Sequence, residues 1–126
     1  MSDEETTIWN RACDIRGFSP TLGGDTALRW AISFNGVACN GGVIHSLEFH
    51  AKNIAEVFDA FRTLGAQEMP SLLTALKQRY AAASQDERTK TERAFDRQYH
   101  TAMNDKRLTE LFQALYKTSP NLFERP

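Results

Sequence analysis

Ala27, Leu28, Trp30, Ala31, Ile32, Phe34, Val37, Ala38 and Cys39 constrain this chain more than any other group of residues. On a 3.6-residue period they cover most of a helix's circumference. One narrow polar stripe is left, made of Asp25, Arg29, Ser33, Gly36 and Asn40. A helix apolar nearly all round must sit in the middle of the packing. The fold that follows is a compact all-α bundle around a central apolar helix over about 25–40, with Asp25 as its N-cap.

The other apolar residues recur at helical spacing, and strict alternation of the strand type is missing. Ser2 and Glu5 form a capping-box pattern for a first helix running to about Ile15. That helix is expected to bury Ile8, Ala12 and Ile15, or the neighbouring Trp9 and Cys13. Gly17 to Gly24 reads as a loop, the longest break in the chain. After Asn40-Gly41-Gly42 comes a short helix from Val43 to His50. Asn53 with Glu56 makes a second capping pattern, ahead of a stripe of Ile54, Val57, Phe58, Phe61 and Leu64 that Gly65 terminates. Met69, Leu72, Leu73, Leu76 and Tyr80 mark the next helix, with Pro70 in its first turn. Ser84 and Glu87 give a third capping pattern, opening a charged helix that buries Phe95, Tyr99, Ala102 and Met103. A last helix presents Leu108, Leu111, Phe112 and Leu115, and Leu122 and Phe123 dock a tail over 119–126. Six or seven helices in one domain, 1–126, is the expectation.

A chain of 126 residues buries roughly two-thirds of its unfolded surface, enough to fold without a metal or a disulfide. Its 41% hydrophobic and 25% charged residues exclude a disordered chain. Cys13 and Cys39 read as two buried, reduced thiols. The acidic start, Asp3-Glu4-Glu5, has no apolar run behind it, and no apolar stretch approaches the roughly 20 residues a membrane helix needs. Cytoplasmic residence and no membrane association are expected. Residues 1–68 carry nine acidic and five basic side chains, a net of −4; residues 69–126 carry seven and ten, a net of +3. Because both signs are interleaved in each half, no basic field for direct nucleic-acid binding is expected.

Among groups able to carry chemistry, His45, Glu48 and His50 stand closest together. Histidines five apart lie about 140° round a helix, whereas a helical zinc site wants them four apart on one face. Cys39 and His45 resemble a nucleophile and base only in sequence proximity, since a catalytic thiol needs an electropositive setting. The glycine pair Gly23-Gly24 reads as a turn. No catalytic residue, metal site or cofactor is predicted. The predicted partner-binding face is Arg29, Ser33 and Asn40 with Asp25 and the adjoining loop from Ser19. Arg29 either pairs with Asp25 one turn earlier or marks where the central helix meets a partner.

From Asp25 to Tyr80 the elements run in a recognisable order. The apolar helix from Ala27 to Cys39 enters Asn40-Gly41-Gly42, then an aromatic-bearing short helix from Val43 to Phe49. Leu64-Gly65-Ala66 ends an amphipathic helix, and Leu72-Leu73 opens another. In this the chain resembles the bacterial DNA mimic protein 19 family, and Phe95-Asp96, Tyr99 and Ser119-Pro120 extend the likeness toward the C-terminus. His45 stands where the family usually has glutamine. The resemblance implies a helical domain without catalytic residues. It also implies kinship with a member whose acidic surface imitates DNA and occupies a transcription factor. A net charge of −1 makes this a non-acidic member, because a duplex carries one charge per about 1.7 Å of axis. Only a local face of Asp3, Glu4, Glu5, Asp14, Asp25, Glu48, Glu56 and Asp59 is left to imitate it. The expected function is therefore a non-catalytic inhibitor or immunity-type protein that neutralises a protein partner such as a bacterial toxin. The alternative is a transcription regulator acting by partial DNA mimicry, and an enzyme using His45, Glu48 and His50 is the third reading. A homodimer is the other assembly considered.

Overall fold

The backbone N–H of Glu5 donates to Ser2 Oγ (3.2 Å) and that of Ser2 donates to Glu5 Oε1 (2.7 Å), so the chain enters its first helix through the predicted capping box. A computed structural model describes all 126 residues. It contains α1 (Asp3–Cys13), α2 (Gly23–Gly41), α3 (Val43–Phe49), α4 (Ile54–Leu64), α5 (Met69–Ala82), α6 (Arg88–Ala102) and α7 (Asp105–Thr118). One-turn 3-10 helices at Ala51–Asn53 and Pro120–Leu122 complete it, and there is no strand. No helix is long and apolar enough to cross a membrane.

As its composition requires, α2 lies at the centre, in contact with α1, α3, α4 and α7. Its buried face runs through Ala27, Ala31, Phe34 and Ala38. Phe34 is the hub of the larger core cluster, its ring 5.9 Å from Phe61, 5.8 Å from Tyr99 and 5.4 Å from His50. The small side chains beside it let α4 approach, and α4 lays Val57, Ala60, Phe61 and Leu64 against them. Gly65, with φ of +100°, closes α4 in the left-handed conformation its sequence position predicts.

Polar groups inside this cluster are matched. Tyr99 Oη donates to Asn35 Oδ1 (2.9 Å), and Asn35 Nδ2 donates to Asp105 Oδ1 (2.7 Å). Ser46 Oγ donates to the Phe34 carbonyl (2.8 Å). Burial raises the Tyr99 phenol far above its ordinary range, which keeps it a donor.

A smaller cluster joins Ile8 and Ala12 of α1, Leu28 of α2, Phe112 of α7 and Phe123 of the tail. Docking of Leu122 and Phe123, expected from the sequence, depends on Gly24. A Cβ there would stand 2.7 Å from the Leu122 carbonyl oxygen and 2.7 Å from the Phe123 ring.

Several local expectations fail, each for a physical reason. α1 ends at Cys13, because Asp14 Oδ1 accepts the Gly17 N–H (2.8 Å) and turns the chain out of the helix. Ile15 is therefore outside, with 72% of its surface exposed, rather than in the core. Asp25 is not the N-cap of α2: that position is Leu22, and Asp25 lies within the first turn. Asn53 and Ser84 make no capping hydrogen bond. The Asn53 backbone belongs to the preceding 3-10 turn, and the chain turns through Ser84 to Glu87 before α6 begins. Both cysteines are exposed and free rather than buried.

Candidate functional site

Each α-helix leaves its last carbonyls without intrahelical donors, and at the end of α1 a side chain from α2 supplies them. Arg29 Nε donates to the Ala12 carbonyl (3.1 Å), and Nη2 donates to those of Arg11 (3.1 Å) and Asp14 (2.7 Å). A cation at a helix C-terminus also opposes the negative end of the macrodipole. The Phe18 ring lies 4.9 Å from the Arg11 guanidinium and 5.7 Å from that of Arg29, which folds the intervening loop onto this joint. Arg29 thus has backbone carbonyls as partners, not Asp25.

Asp25 is fully enclosed, so it is corrected from a surface contact to an interior tie. The Glu124 N–H donates to its Oδ2 (2.7 Å), and Arg11 Nη2 lies 3.5 Å from its Oδ1. Arg11 also donates to the carbonyls of Glu124 (2.8 Å) and Arg125 (2.7 Å).

Where α1 stops and α2 passes beneath it, a groove of about 270 Å³ opens, lined by Ala12, Cys13, Ile15, Arg29, Trp30, Ile32 and Ser33. Trp30 and Ile32, expected in the core, are only half-buried. Ser33 carries the groove wall toward α3. His50 Nδ1 donates to the Ser46 carbonyl (2.9 Å), which can only accept, so Nε2 is left to accept from Ser33 Oγ (2.9 Å). His50 is buried, and the exposed Phe49 ring lies against it at 5.0 Å, with Trp30 at 6.4 Å on another side. A run of rings thereby connects Phe49 to the groove.

The five residues predicted as a face are only partly assembled. Arg29 and Ser33 meet in the groove. Asn40 is exposed at the far end of α2, about 16 Å along the axis from Arg29. Ser19 is exposed in the α1–α2 loop, and Asp25 is interior. The sequence reading missed Ile15 as a surface residue and Trp30 and Ile32 as half-buried ones. The available signal was Asp14 three residues before Gly17, an aspartate placed to take the glycine N–H and stop α1 short.

His45, Glu48 and His50 do not converge. His45 and Glu48 are exposed beside a separate polar recess with Tyr80, Glu92 and Asp96, while His50 faces inward. Asp96 is occupied as the cap of α3, its Oδ1 accepting the Val43 N–H (2.8 Å). Although both cysteines are exposed, partial desolvation pushes each thiol upward from its ordinary value, the opposite of the shift that activates a thiol. The eight carboxylates considered for DNA imitation are also largely engaged within the chain. Glu4 accepts from Tyr116, Glu5 closes the capping box, Asp14 holds Gly17, Asp59 pairs with Arg62, and Asp25 offers no surface.

Set against protein-family models, curated proteins and solved structures, the chain matches none.

Proposed function

We propose that this chain is a non-catalytic protein-binding module of the inhibitor or immunity type, which neutralises a partner protein such as a bacterial toxin by covering part of its surface. The observation that carries this reading is Ile15, 72% exposed at the rim of a groove floored by Trp30 and Ile32. Apolar surface of that kind, beside an aromatic and an arginine, suits a partner's apolar anchor side chain. Arg29 contributes by holding the rim of the groove, and Ser33 by fixing one wall. The kinship with the DNA mimic protein 19 family belongs to this proposal for the helical scaffold, with the acidic imitation left aside.

The test is affinity capture from native lysate with the wild-type chain and with Ile15→Asp. A single stoichiometric protein should be retained by the wild type and lost by the variant, whose melting temperature should stay within about 2 °C because the side chain is exposed. Equal retention by both chains, or no stoichiometric protein on the wild type, rejects the groove as the binding site.

A further inference from the structure

The charges of α6 look mixed in sequence but separate in space. Lys90, Arg93 and Arg97 fall at i, i+3 and i+7, a single stripe about 10 Å long on the face turned away from Phe95 and Tyr99. All three are exposed, and none takes part in the chain's three ion pairs. The carboxylates of the same helix, Glu92 and Asp96, are turned aside and engaged by Tyr80 and by the Val43 N–H.

This arrangement only partly suits the helix that carries it. Past Asp86 and the N-cap Glu87, α6 has no acidic residue in its first turn and no side-chain cap, and Arg88 and Lys90 stand near its positive end. Like charges one turn apart add repulsion. α1 shows the opposite choice, with three acidic residues in its first turn and a complete capping box. Arg88 lies over the Tyr80 ring at 4.9 Å, whereas Lys90, Arg93 and Arg97 make no ion pair, and cations placed so are expected where a surface serves another purpose.

We propose that the outer face of α6 is a second docking surface, whose occupant is an acidic helix of a partner protein. Carboxylates at i, i+3 and i+7 on such a helix match the three cations one to one over the same two turns. A carboxylate arriving beside Lys90 would add to the negative charge that Asp86 and Glu87 place at the start of α6. Duplex DNA fits less well, presenting about six charges over the same 10 Å. Beside the stripe, Ala82, Ala83 and Ala94 line a shallow trough with Arg79 on its margin and Glu87 as its one carboxylate, room for small apolar residues of the incoming helix. This surface is independent of the α1–α2 groove.

The experiment is an NMR titration of the intact 15N-labelled chain with two helical peptides of equal composition. One carries glutamates at i, i+3 and i+7, and the other has them spread around the helix; a 12-base-pair duplex is the third probe. The matched peptide should shift amides over 89–101 and bind about tenfold more tightly than the spread one, an advantage lost on raising salt. The triple variant Lys90→Gln, Arg93→Gln, Arg97→Gln should lose that advantage with no fall in melting temperature, and Lys90→Gln alone should weaken binding about threefold. Ile15→Asp should bind the matched peptide as the wild type does. Equal affinity of the two peptides, tighter binding of the duplex, shifts outside α6 and its neighbours, or a less stable triple variant would each overturn the proposal.

Discussion

The two core clusters are closed by different means. Around Phe34, rings from α2, α4 and α6 meet, and hydrogen bonds such as Tyr99 to Asn35 join side chains distant in sequence. Around Phe112, the lid is the chain's own tail, held by Phe123 and by the grip of Arg11 and Asp25 on main-chain groups. The first should fail by cavity formation and take the whole fold with it. The second should fail by undocking, leaving most helices in place.

Phe34→Ala tests that contrast hardest. Removing a wholly buried ring at the hub of the larger cluster should cost about 3–5 kcal/mol in urea denaturation, with loss of near-ultraviolet signal across the protein. Asp25→Ala should cost less, about 1–3 kcal/mol, since it deprives a tail amide and Arg11 of their acceptor. Its signature is local: amide exchange should accelerate at Glu124 and its neighbours while α4 and α5 keep their protection. A global loss of protection would erase the distinction between the clusters.

The smallest effect concerns α1, whose residues Ile8 and Ala12 belong to the second cluster. The Ser2 N–H holds the Glu5 carboxyl below its ordinary value. Its contribution is therefore present above the unfolded value, near pH 4, and fades as the pH falls through the lower folded one. In Glu5→Gln this part of the acid response should vanish, a difference of about 1–2 °C in melting temperature between pH 6 and pH 3, given how exposed the group is.

Helix existence was readable from residues whose information is local. The all-round apolar run of α2, the Ser2–Glu5 pair, Gly65 and Pro70 each act on neighbours within one turn. Asp25 was misread for the complementary reason. An aspartate at a helix start looks like a cap, but the group that claims it lies 99 residues downstream. Arg29 likewise answers carbonyls 15 to 18 residues back, so its i, i+4 relation to Asp25 was a poor guide. The groove arose where α1 ended two residues early, which moved Ile15 from core to surface and left Trp30 half-buried. The α6 stripe was hidden because counting charges by segment averages over faces that only a helix separates.

The hold on the chain's last residues is mostly blind to their identity. Arg11 and Asp25 reach for carbonyl groups that every residue possesses and for an amide that every residue but proline possesses, so substitutions other than proline at 124 can accumulate there with little penalty. A deletion between Ser119 and Phe123 is another matter. It would slide those groups out of register with their clasp. At this end of the molecule, distance along the chain is constrained more tightly than spelling.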